Sequence, residues 1–152
     1  MKERLMFDKI LVALDGSSLA QAVLPYAEEL AWKFESQVLL LSVVTPVRDL
    51  LMTEFMPHFQ DADREALMER ANAYLSGVRG ELRAKNIAAE IMVVEGDPPT
   101  MILDVARREG ADLIAMTTHG RTGLGLWAFG SVADKVMRHA PCPVLLVRSP
   151  AA

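Results

Sequence analysis

The chain predicts an α/β fold: a parallel sheet with helices on both of its faces. Two observations carry this. Short apolar, β-forming runs alternate with amphipathic helical patterns from end to end, giving the order βαβαβαβαβ. The second of those runs, at residues 37–44, is almost unbroken apolar sequence, which suits a strand covered on both faces. Parallel strands joined through helices take right-handed crossovers. The pattern alone leaves their lateral order open.

Taken in order, residues 7–14 (Phe-Asp-Lys-Ile-Leu-Val-Ala-Leu) read as strand one, stopped by Asp15-Gly16-Ser17-Ser18. Ser17 or Ser18 caps a helix whose apolar positions Ala22, Leu24, Ala27, Leu30 and Ala31 run to about Phe34, with a bend expected at Pro25. Strand two ends at Thr45-Pro46. Residues 47–60 carry Met52, Phe55, Met56, His58 and Phe59 without periodicity and read as a long loop. A helix follows over 61–85, with Leu67, Ala71, Tyr74, Leu75, Val78 and Leu82 on one side and Asn86 at its end. Strand three is 88–95. Gly96-Asp97-Pro98-Pro99 turns into a helix that has proline in its first turn and Gly110 as its C-terminal cap. Strand four is 112–118. The last helix runs from Ser131 to about His139, and strand five covers 143–148.

At 152 residues, with 51% hydrophobic and 24% charged residues, the chain reads as one globular domain spanning 1–152. A formal charge of −4 argues against non-specific nucleic-acid binding. No apolar run approaches the ~18 residues of a membrane span, and no signal peptide precedes strand one. The single Cys142, between two prolines, cannot form an internal disulfide and reads as a packing residue. A cytoplasmic protein without a membrane partner is expected.

The chemistry concentrates between strand four and the last helix. There an apolar strand enters a loop containing Gly120, Gly123 and Gly125 and closes on Gly130-Ser131 at a helix start. Helix N-terminal N–H groups lack intrahelical partners, and the helix dipole favours negative charge beside them. Glycine lets phosphate oxygens approach the backbone. In open parallel sheets, ligands sit beyond the C-terminal strand ends where the winding reverses. If strands one and four are neighbours there, Asp15 and the glycine loop share one crevice.

Other nucleotide and metal motifs are excluded. No G-x-x-x-x-G-K-[ST] occurs. Residues 123–128 match a relaxed G-x-G-x-x-A but follow strand four instead of strand one, with no acid at the required distance. His58, His119 and His139 are too dispersed to suggest a metal site.

Several stretches together resemble the universal stress protein family over nearly the whole length. They are Val-Ala-Leu-Asp-Gly-Ser at 12–17, Thr-His-Gly-Arg at 118–121, Gly-Ser-Val-Ala-Asp-Lys-Val at 130–136 and Pro-Cys-Pro-Val-Leu-Leu-Val at 141–147. The family's G-x2-G-x9-G-[S/T] motif is matched by Gly120, Gly130 and Ser131, while its first glycine falls on Thr117. The resemblance implies a five-stranded, Rossmann-like sheet of order 3-2-1-4-5 and a site for ATP or another adenine nucleotide; metal use is left open, with Mg²⁺ bridging the phosphates compatible with such a site. It implies base and ribose contacts at Ala13, Asp15, Val43 and Met116. Phosphate contacts would come from Thr117, His119, Gly120, Arg121, Gly130, Ser131 and Val132. It also implies a homodimer through residues 143–147, from Pro143 to Val147, which as a bare apolar edge would invite pairing.

The expected function is therefore a nucleotide-binding regulatory protein of the stress response. A slow ATPase or phosphotransferase and a non-binding dimeric interaction module of the same fold are the alternatives. Rapid hydrolysis needs a placed metal, a water-orienting residue and a cation at the transition-state charge. The loop offers His119 and Arg121 but no P-loop lysine. Binding with at most slow turnover follows. Trp127 and Phe129 read as loop or interface anchors.

Overall fold

The computed structural model describes residue 3 and residues 6–46, 61–118 and 130–148, with the backbone alone at 61 and 62. Five strands form one parallel sheet: β1 (Lys9–Ala13), β2 (Gln37–Val44), β3 (Ala89–Glu95), β4 (Leu113–Thr117) and β5 (Val144–Val147). Their order is β3-β2-β1-β4-β5, so β1 and β4 are neighbours and β3 and β5 are the edges. The helices among the described residues are α1 (Leu24–Phe34), α2 (Asp61–Ala84), α3 (Pro98–Glu109) and α4 (Ser131–His139). None of them is long and apolar enough to cross a membrane.

Alternation along each strand splits the core into two layers. Ile10, Val12, Val38, Leu40, Leu113 and Ala115 pack with Val23, Ala27 and Ala31 near and on α1 and with Leu75, Val78 and Leu82 of α2. Leu11, Leu39, Leu41, Ile114 and Met116 pack with Ile102, Val105 and Ala106 of α3 and with Ala133 and Val136 of α4. The central strands are covered on both faces, which is why they read as unbroken apolar runs.

Local signals set most boundaries. Asp97 caps α3 by accepting from the Thr100 N–H (3.4 Å) and hydroxyl (2.6 Å). Pro98 follows in the first helical turn, where its missing N–H costs nothing. Gly110 ends α3 at φ 63°, and Asn86 follows α2 at φ 61°, both left-handed.

Two expectations need correction. The first helix is not one bent helix from Ser17 or Ser18: a 3-10 turn (Ala20–Val23) precedes α1. Pro25 has no N–H to give the Gln21 carbonyl, and the Leu24 N–H takes that acceptor instead, in the tighter i→i+3 pattern. Ser17 does cap, but it caps that turn, accepting the Ala20 N–H at 3.1 Å. Strands one, three, four and five are each shorter than the apolar runs suggested. Asp112, for example, lies outside β4 although its N–H donates to the Lys9 carbonyl (2.8 Å) and its carboxylate accepts the Lys9 N–H (3.0 Å). The expected loop at 47–60 lies outside the described residues.

Candidate functional site

Two strand ends bring the candidate residues together. β1 stops at Ala13, and the Leu14 N–H still reaches the Leu41 carbonyl at 2.9 Å. The chain then turns through Gly16 at φ 85°, a left-handed position that glycine adopts without steric cost. Asp15 closes this turn by accepting the Ser17 N–H on Oδ1 at 2.8 Å. Asp15 therefore stands, half-buried, just past the C-terminal end of β1.

On the neighbouring strand, β4 ends at Thr117, and Thr118 links three elements. Its N–H donates to the Val147 carbonyl of β5, and its own carbonyl accepts the Gly130 N–H, both at 2.9 Å. Gly130 is the N-cap of α4, with φ −60° and ψ 156°, and its carbonyl accepts the first helical N–H, from Asp134, at 3.0 Å. The N–H groups of Ser131, Val132 and Ala133 accordingly have no intrahelical acceptor, and the positive end of the α4 dipole lies among them. Gly130 contributes its position; its own N–H is engaged by Thr118. Asp134, an acid in this first turn, is held on both oxygens by Arg138 Nε at 3.1 Å, which offsets its charge toward an incoming anion.

The apolar part of the site is the α3–α4 layer where it runs out toward the C-terminal strand ends. Leu11, Leu41 and Met116 are buried there, whereas Ala13, Val43, Val94 and Val132 are only half-buried. These four form a wall suited to a flat, apolar ring. Met116 lies beneath that wall, in the core. Thr117, one residue on, falls by strand alternation into the α1–α2 layer and is buried. Its branched side chain therefore belongs to the opposite face from Ala13 and Val43.

Of the expected site residues, Ala13, Asp15, Val43, Met116, Thr117, Gly130, Ser131 and Val132 lie at or next to this end of the sheet. His119, Gly120 and Arg121, with Trp127 and Phe129, lie outside the described residues. Two residues were missed. Val94 pairs in register with Val43 and extends the wall, which alternation with Met92 would reveal once β3 is known to lie beside β2. Thr118 enters the sequence reading only within the stretch 118–121; the bonds that link β5 to α4 are made by its backbone, which no side-chain pattern announces.

The comparisons with known proteins agree with this architecture. The model of the universal stress protein family matches residues 6–148. The chain is 32% identical over 148 residues to the universal stress protein YxiE of Bacillus subtilis, covering 94% of this chain and 100% of that one. It is 35% identical over 145 residues to a universal stress protein of Thermus aquaticus, again covering 94% and 100%. The solved structure of MJ0577 from Methanocaldococcus jannaschii superposes with a TM-score of 0.77 at 25% identity, over 97% of this chain and 100% of that one. Two more distant structures share the fold. One is a universal stress protein in complex with cAMP (TM-score 0.63, 20% identity, 95% and 98% covered). The other is a universal stress protein from Archaeoglobus fulgidus in complex with dAMP (TM-score 0.64, 23% identity, 93% and 98% covered). With a family model matched over residues 6–148 and relatives 32% and 35% identical over 94% of its length, this chain belongs to the universal stress protein family.

Proposed function

We propose that this chain binds an adenine nucleotide, ATP foremost, and acts as a nucleotide-dependent regulatory protein rather than as a fast enzyme. One observation carries the reading. The half-buried wall of Ala13, Val43 and Val94 shares a layer with Val132, inside the turn of α4 that presents three N–H groups without intrahelical acceptors. An apolar ring and an anion are thus served from one end of the sheet. Relatives of the same fold solved with cAMP and dAMP support an adenine nucleotide as the ligand class.

The magnitudes suffice for binding. Micromolar affinity corresponds to about 8 kcal/mol. Charge-assisted hydrogen bonds contribute roughly 1.5–3 kcal/mol each before association costs. Two or three amides with base burial reach that figure. Asp15, past the end of β1, is the ribose or base partner. Thr117, His119, Gly120 and Arg121 complete the phosphate end in this reading. Mg²⁺ would arrive on the phosphates in this reading. A second copy would pair along the β5 edge.

The test is to denature the purified protein and identify released nucleotide by mass, then titrate ATP calorimetrically into wild type and Gly130→Val. Gly130 sits at a φ of −60°, open to any residue, so valine preserves the backbone while its side chain stands at the mouth of the α4 amides. Micromolar binding by wild type, weakened at least about tenfold in the variant, is expected. Equal binding by both removes α4 from the site. Sedimentation equilibrium with and without ATP tests the homodimer.

A further inference from the structure

A chain of backbone hydrogen bonds runs from the edge strand to the start of α4. The Val147 carbonyl accepts the Thr118 N–H, the Thr118 carbonyl accepts the Gly130 N–H, and the Gly130 carbonyl accepts the Asp134 N–H, at 2.9, 2.9 and 3.0 Å. No side chain caps α4, so the Thr118 carbonyl helps fix where its first turn sits. Thr118 and Val147 are both buried, at 6% and 8% exposure. Val147 is the one fully buried residue of β5, whose other residues are half-buried. The best-anchored point of this short edge strand is therefore the point tied to α4.

From this geometry we propose that nucleotide occupancy at α4 is transmitted through Thr118 to the β5 edge, so that ligand binding holds the end of β5 closed onto β4. This rests on the nucleotide-binding reading above and names the regulated element of the same site. The physical basis is linkage. A ligand that binds the α4 amides stabilises the arrangement in which they are correctly placed. That arrangement includes the Thr118–Gly130 bond, and through it the closed state of a four-residue strand that, among the described residues of this chain, pairs with β4 alone. The other edge, β3, ends at the same side of the sheet but is tied to α2 by the Arg64–Glu95 ion pair, outside this chain of bonds. Because Val94 of β3 lines the proposed ring wall, the comparison region is α1, which holds none of the named site residues.

Because coupling is reciprocal, loosening β5 must weaken nucleotide binding. Val147→Ala removes two methyl groups from the strand's buried anchor, which lies beside Thr117 but is not itself one of the named site residues. Leu82→Ala, in the same core layer but on α2, serves as a control for general destabilisation. ATP affinity is measured by calorimetry, and amide exchange of Val144–Val147 and of Leu24–Phe34 is followed with and without ATP.

Expected are slowed exchange in β5 with none in α1, and an ATP Kd raised about fivefold or more in Val147→Ala, at the low end of typical couplings, with Leu82→Ala near wild type. If wild type binds ATP while β5 exchange and the Val147→Ala affinity are unchanged, the coupling is refuted and the nucleotide reading stands. If wild type binds no adenine nucleotide, both fall.

Discussion

Asp15 accepts the backbone N–H of Ser17 on Oδ1 at 2.8 Å, so the carboxylate just past the end of β1 also builds the turn that presents it. The two roles separate by substitution. Asn retains an acceptor oxygen at the same place, and Ala does not. Asp15→Asn should stay within about 0.5 kcal/mol of wild type in urea denaturation, while Asp15→Ala should lose about 1 kcal/mol. In calorimetry both should weaken ATP binding. An Asp15→Asn variant that binds ATP like wild type would take the carboxylate charge out of recognition.

The sheet's stability rests on its central strands. Leu40 is fully buried in the layer beneath α1 and α2. Leu40→Ala should destabilise by about 2–5 kcal/mol, the loss of transfer free energy plus a residual cavity. Thermal and urea unfolding would both register it. A loss under 1 kcal/mol would mean that this layer collapses around the missing side chain.

Gly110 separates conformation from contact. Its φ is 63°, and a Cβ added there meets nothing within 4 Å. Gly110→Ala should therefore cost about 1 kcal/mol from left-handed backbone strain alone, and Gly110→Asn less, since Asn tolerates that region. Equal stabilities for Ala and Asn would contradict this.

Burial is the main cause that raises the Cys142 thiol above its ordinary pKa; the Asp112 carboxylate adds to the rise, and a backbone hydrogen bond from Ile114 opposes it. At pH 8 iodoacetamide should modify the native protein more slowly than the urea-unfolded chain, because less thiolate is present. The folded state holds this proton more tightly than the unfolded one. The stabilisation is therefore complete below the unfolded thiol pKa and is lost as pH rises through the higher folded value. Cys142→Ala should flatten that alkaline decline. Native alkylation as fast as in urea would refute the shift.

How much could be read without coordinates is clearest in the elements themselves. The span of β2, the Asp97-Pro98 start of α3, its Gly110 end and the Ser131–His139 helix all follow from the sequence. Each depends on residues within a turn or two of one another. The turn before α1 was misread because the cost of Pro25 is settled by which neighbouring N–H takes the Gln21 carbonyl.

The amino-acid sequence by itself determined the alternation of strands and helices, the double-sided core and the motif Gly120, Gly130, Ser131 that marks the family. The lateral order of strands came with the resemblance and not from the pattern. Only the tertiary structure decided that Val94 joins Ala13 and Val43 on one wall, that Thr117 falls in the opposite layer, and that Thr118 ties β5 to α4. The reason is distance along the chain. Periodicity and capping are set between near neighbours, whereas the sheet is joined by contacts such as Lys9 to Asp112, 103 positions apart. Backbone groups such as those of Thr118 make their bonds whatever side chain they carry, so no residue type announces them.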